Sequence, residues 1–193
     1  MKFKFLSIAL LFLPLTFNAM ANVDNHHRIQ DINKMDDKVY LTTFSPLFND
    51  DEWVLVESGK QRPFSGFVDM FEHIINIIKV SDKQTQLSLI ADHPDLACPA
   101  ARTEGIAAAS QEEQKSSGLN SCTQEEAVKL TQLNKQYREK FGFPFLLAVK
   151  GYDKAAIFAE IEDRLNNDQA TEFNIAMQQY YKVVMLRMLD LVK

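Results

Sequence analysis

The chain has 193 residues, 46 % of them hydrophobic and 24 % charged, and carries a net charge of −5. That is enough chain for one domain with a sizeable core. The acidic surplus makes it a poor generic partner for nucleic acid or anionic lipid, so no nucleic acid is expected among its partners.

The N-terminus has the three-part layout of a secretory signal peptide. Lys2 and Lys4 precede an apolar run from Leu6 to Phe17, interrupted only by Ser7, Pro14 and Thr16; Ala19-Met20-Ala21 then puts small residues at the two positions a signal peptidase reads. The run falls short of the roughly 20 residues of a spanning helix, and no later run reaches that length. Residues 1–21 are therefore expected to be removed by cleavage after Ala21, which implies an exported, periplasmic protein with no stable membrane anchor. An uncleaved anchor is the alternative. Residues 22–40 are polar and without a clear period, which predicts a flexible lead-in. Within it, His26-His27 lacks the neighbouring carboxylates or cysteines of a metal site and reads as a solvated pair.

Residues 41–193 read as one all-α domain of about seven or eight helices. Phe64, Phe67, Val68, Phe71, Ile74, Ile75 and Ile78 recur at three- and four-residue steps, marking a buried helix face. Ser81 with Gln84 has the pattern of a capping box opening a helix that ends near Ala91, where His93-Pro94 stops it. Ser110 with Glu113 repeats the capping pattern, and Gly118 suits the end of that short helix. Thr123 with Glu126 opens a longer helix with Ala127, Leu130, Leu133, Tyr137 and Phe141 on its core side. Gly142-Phe143-Pro144-Phe145 breaks the chain. The apolar run Phe145, Leu146, Leu147, Ala148 and Val149 is either a buried strand or an extended connector. Asp153 caps a helix to about Asn166. Asp168 caps the last, with Phe173, Ala176, Met177, Tyr180, Val183, Val184 and Leu191 as core positions.

No phosphate loop, nucleophile elbow or metal-ligand spacing is present, so chemistry would rest on side chains alone. His93 follows a helix end and is held by Pro94; an imidazole suits proton transfer, although a histidine there also serves as a plain helix cap. Ser110, Gln111, Glu112, Glu113 and Gln114 crowd polar groups into a helix start, which serves either capping or an anionic, carbonyl-rich ligand. Arg187, flanked by apolar residues on the last helix, needs an anionic partner from the protein or from a ligand. Arg164 reads as a solvated residue complementing a helix dipole. Cys98 and Cys122 fit neither a zinc ribbon nor a CxxC pair; in an exported protein they form a disulfide or remain two thiols.

In order and spacing, four motifs resemble 2-oxo-4-hydroxy-4-carboxy-5-ureidoimidazoline (OHCU) decarboxylases: His93-Pro94-Asp95-Leu96-Ala97, Ser110-Gln111-Glu112-Glu113-Gln114, Gly118-Leu119 and Phe141-Gly142-Phe143-Pro144-Phe145. Asn134, Tyr137 and the stretch from Leu186 to Val192 add to the likeness, which covers about Leu41 to Lys193. The resemblance implies an all-helical homodimer with no cofactor and no metal, acting on a small anionic ureidoimidazoline in urate degradation to give (S)-allantoin. It implies His93 as acid/base, Glu113 as catalytic carboxylate, Arg187 facing the anionic groups, and Pro94 lining the pocket. It further implies substrate contacts from Ser110 to Gln114 and from the backbone of Phe145 to Val149. Cys98 departs from the family, which commonly has glycine there; a bridge to Cys122 would tie the His93 loop to the helix behind Glu113. Export is the second departure, and leaves open a different ureide substrate or a non-catalytic ligand-binding role.

Overall fold

The computed structural model describes residues 26–48, 51–99 and 108–193; the expected signal segment lies outside them. Nine α-helices form the described chain, with no strand: α1 (Ile29–Ile32), α2 (Asp37–Phe44), α3 (Glu52–Gly59), α4 (Phe67–Val80), α5 (Lys83–Ala91), α6 (Ala108–Ser116), α7 (Gln124–Phe141), α8 (Lys154–Arg164) and α9 (Gln169–Leu189). The all-α expectation holds, with more helices than the sequence pattern suggested.

The surplus comes from the N-terminal third, and the lead-in expectation is corrected there. From His26 on, the chain is folded: Ile32 and Tyr40 are fully buried, and Arg62 donates to the Met35 carbonyl and to Asp37. His27 pairs its backbone with the C-terminus, its N–H donating to Leu191 O at 2.7 Å and its carbonyl accepting from Lys193 at 3.1 Å. Its ring packs edge-on against Phe44, so the His26-His27 pair is not wholly solvated. Helices this short are marginal alone; tertiary burial stabilises them, which is why their periodicity is weak.

Local signals place the later helices. Thr123 and Glu126 form the full capping box of α7, and Gly142, at φ 80°, ends it by donating to Arg138 O at 2.8 Å. Asp153 and Asp168 cap α8 and α9. The cap of α5 is Asp82, which accepts from Gln84 and Thr85, rather than Ser81, whose hydroxyl turns back to Ile78 O. On α4, Met70, Ile74, Ile75 and Ile78 are buried, but Val68 is 63 % exposed.

The longest helix, α9, packs against α4, α5, α7 and the 3₁₀ turn Ser45–Leu47, so its buried face (Ala176, Met177, Tyr180, Val183, Val184, Met188) is the spine of the core. The run Phe145 to Val149 is a connector between α7 and α8, buried throughout. A buried connector must satisfy its backbone polar groups without ladder partners, and the side chains that do so shape the site. Cys98 and Cys122 are bonded, with Cα atoms 5.8 Å apart, which fastens the loop after α5 to the turn after α6.

Candidate active site

The end of α5, one face of α6, the 145–149 connector and α9 meet around a small, largely apolar pocket into which four polar side chains reach. His93, Pro94, Ser110, Glu113, Gln114 and the connector line it, joined by Leu96 and by Val183 of α9.

His93 is 8 % exposed, and its ring meets Tyr180 edge-on at 5.2 Å. Its Nδ1 lies 3.1 Å from the Leu89 carbonyl. A carbonyl only accepts, so Nδ1 carries the proton and Nε2 keeps a free lone pair. Nε2 is buried and has no hydrogen-bond partner among the described residues. Burial, and secondarily the Arg187 charge, lower the His93 pKa to about 4, against a smaller opposing effect of the Leu89 bond. The imidazole is thus neutral at neutral pH, with an unpartnered acceptor in the pocket wall. An unsatisfied buried acceptor is costly and calls for a ligand-side explanation.

Arg187 stands behind Glu113 rather than in the lining. Nε donates to Glu113 Oε1 at 2.7 Å and Nη2 to Oε2 at 3.1 Å, a bidentate pair. Nη2 also reaches Ser110 Oγ at 3.2 Å, and Nη1 the carbonyls of Leu47 (3.2 Å) and Pro46 (3.4 Å). All five donors are therefore engaged within the protein. This overturns the capping box expected of Ser110 and Glu113: α6 begins at Ala108, and both side chains turn inward to Arg187. Arg187 reaches an entering carboxylate only where Glu113 yields, and Glu113, 30 % exposed at its side chain, is the partner with room to move.

Gln114 is 2 % exposed and acts as a strut: Oε1 accepts from Ala97 N–H at 3.1 Å, and Nε2 reaches Asp95 O at 3.4 Å. Asn134 of α7 holds the same loop through Leu96 O at 2.8 Å. Gln111 and Glu112 lie on the exposed face of α6, Glu112 next to Lys115 at 3.6 Å, and neither lines the pocket. In the connector, Phe145, Leu146, Leu147 and Val149 line it, whereas Ala148 gives its N–H to Gln179 of α9 at 3.1 Å. The pocket holds about 30 Å³, so a ring ligand has to part its walls. A larger groove of about 740 Å³ between α4 and α9 is lined by Phe67, Phe71, Ile75 and Met185 together with Glu72, His73, Asn76 and Lys79, but it holds no buried imidazole with an unpartnered nitrogen.

Arg164 corrects the sequence reading most sharply. It is 2 % exposed and binds Glu172 through Nε (2.9 Å) and Nη2 (2.6 Å), with Leu146 O at 2.8 Å and Tyr137 Oη at 3.3 Å. Tyr137 donates to Glu172, and burial raises its pKa. Its position near a helix C-terminus suggested solvent; the partner that draws it inward, Glu172, lies beyond the helix break.

The family described as OHCU decarboxylase matches residues 33–189. The chain is 32 % identical over 162 residues to the 2-oxo-4-hydroxy-4-carboxy-5-ureidoimidazoline decarboxylase of Haloferax volcanii, covering 84 % of this chain and 94 % of that one. It is 34 % identical to the mouse protein of that name, covering 83 % and 90 %. A uric acid degradation bifunctional protein from Bacillus sp. (strain TB-90) is 35 % identical over 85 % of this chain, which spans only 32 % of that longer protein. Among solved structures, an (S)-allantoin synthase aligns with TM-score 0.66 at 22 % identity, over 86 % of this chain and 54 % of that one. An OHCU decarboxylase crystallised in the presence of (S)-allantoin aligns with TM-score 0.57 at 20 % identity, over 80 % and 96 %; both likenesses concern the fold. With the match running from the turn after α1 to the end of α9, and two relatives covered almost end to end, the chain belongs to the OHCU decarboxylase family.

Proposed function

We propose that the protein decarboxylates 2-oxo-4-hydroxy-4-carboxy-5-ureidoimidazoline to (S)-allantoin, the last step from urate to that product. The observation that carries this reading is His93: a neutral imidazole with its tautomer fixed by Leu89 and an unpartnered Nε2, in one pocket with Glu113, which Arg187 holds from behind.

The substrate bears a carboxylate and a hydroxyl on one ring carbon, beside a C=N bond. When the bond to CO₂ breaks, its electron pair passes into that conjugated system. The His93 Nε2 takes the proton of the hydroxyl as it becomes a carbonyl and returns it to one face of the neighbouring carbon, and the ring nitrogen takes up one proton from solvent. Proton transfer by a positioned side chain is worth typically 10²–10⁴-fold. Glu113, aimed by Arg187, anchors the ureido N–H groups. Arg187 orients the departing carboxylate by exchanging part of its hold on Glu113, while Pro94, Ser110 and the connector close around the ring.

The same proposal includes export and a homodimer. Export is supported by the Lys2/Lys4, apolar-run and Ala19-Met20-Ala21 layout, and by the Cys98–Cys122 bond, which persists in an oxidising compartment. Among the described residues, no helix is long and apolar enough to cross a membrane. The test is to supply urate with urate oxidase and hydroxyisourate hydrolase and follow the optical activity of the allantoin. Rapid accumulation of the (S) form supports the reading; binding without turnover by the pure protein refutes it.

A further inference from the structure

We infer that Arg164 and Gln179 are positioning residues that clamp the 145–149 connector from behind and thereby set the backbone surface it presents to substrate. This rests on the decarboxylase reading only for what the connector faces; the clamp itself is a matter of geometry. Arg164, from α8, donates Nη1 to Leu146 O at 2.8 Å and lies over the Phe145 ring at 4.6 Å. Gln179, from α9, accepts the Ala148 N–H at 3.1 Å. Val149 O takes the Tyr152 N–H at 2.9 Å and closes the connector's end. Two helices thus hold Leu146 and Ala148 by their backbones, and Leu146 and Leu147 both line the pocket.

Arg164 does not need a substrate anion to balance it. Glu172, fully buried, takes Nε and Nη2 on one oxygen and the Asn167 amide at 2.7 Å on the other, and Tyr137 donates to it. The cation is neutralised on the side away from the pocket, and one guanidinium nitrogen is left for a carbonyl of the connector. A buried apolar connector without ladder partners would otherwise shift by tenths of an ångström with each neighbouring side chain, and misplacement on that scale weakens binding and turnover.

The experiment compares Gln179→Leu, Gln179→Glu and the pair Arg164→Met/Glu172→Leu with wild type, by steady-state kinetics and by amide hydrogen exchange. Gln179 is only half-buried, so Gln179→Leu should stay folded; it should raise KM about tenfold and speed exchange of the Ala148 amide by a similar factor. Gln179→Glu keeps an acceptor and should restore both. The paired variant removes both charges together and should keep its melting temperature near wild type, yet show a raised KM. A paired variant with wild-type KM, or a Gln179→Leu protein with unchanged Ala148 protection, overturns the clamp. Wild-type turnover bears only on the decarboxylase reading, and amide exchange, measured without substrate, bears only on the clamp.

Discussion

Replacing His93 with glutamine removes the group whose protonation the fold resists most clearly, and the resistance has a size. Burial and the Arg187 charge hold the imidazole at about 4, against an ordinary 6.5. Between those values the unfolded chain binds a proton that the folded chain refuses. Stability is therefore complete at neutral pH, declines as pH falls below about 6.5, and stops declining from this cause below about 4. The whole loss is roughly 3 kcal/mol, of which about 2 kcal/mol has gone by pH 5. Urea denaturation of wild type and His93→Gln between about pH 5 and 7.5 isolates it, because other titrating groups cancel in the difference. The wild-type curve should fall away from that of the variant on the acid side. Parallel curves would refute the claim that His93 is held neutral, and with it the assignment of Nε2 as base. The acid limb of kcat/KM should likewise lie well below pH 6.5, because that limb reports the free enzyme's base.

Reducing the Cys98–Cys122 bond opens a loop of 24 residues' separation, worth about 3 kcal/mol of unfolded-state entropy. Calorimetry with reductant should show a melting temperature lower by on the order of 10 °C; an unchanged melt would remove the bridge from the stability of the fold. Glu172→Leu leaves Arg164 buried and uncompensated, and should cost about 3–5 kcal/mol in urea denaturation, most of it recovered by adding Arg164→Met; equal losses in the single and paired variants would contradict the ion-pair account. Thr123→Ala removes the hydroxyl of the α7 capping box, and should cost about 1 kcal/mol while leaving turnover alone. A change in kcat there would mean that α7's start reaches the pocket.

What could be read from the sequence divides by range. Thr123 with Glu126, Asp153, Asp168, Gly118 and Gly142 act on neighbours within a turn, so their patterns carry their structure. Ser110 and Glu113 share the spacing of a capping box, but the spacing is silent about a guanidinium arriving from 74 residues further along. The same holds for Arg164, whose charge partners with Glu172 across a helix break, and for the Pro46 and Leu47 carbonyls under Arg187. His93, Glu113, Gln114 and Arg187 were legible through the resemblance and do converge. Gln111 and Glu112 were included only as neighbours in a motif, and helical geometry turns them outward. Gln179 had no signal: a half-exposed glutamine on a long helix acquires its part only from the connector folded against it.

The central claim is that a neutral His93 moves the proton that makes the product a single enantiomer. Circular dichroism of allantoin formed from enzymatically generated substrate, with wild type and with His93→Ala shown to be folded, tests it directly. The wild type should yield (S)-allantoin well ahead of spontaneous decay, while the variant should yield the racemate at a rate lower by at least about 10²-fold. A folded His93→Ala protein that still delivers (S)-allantoin at the wild-type rate would contradict the account.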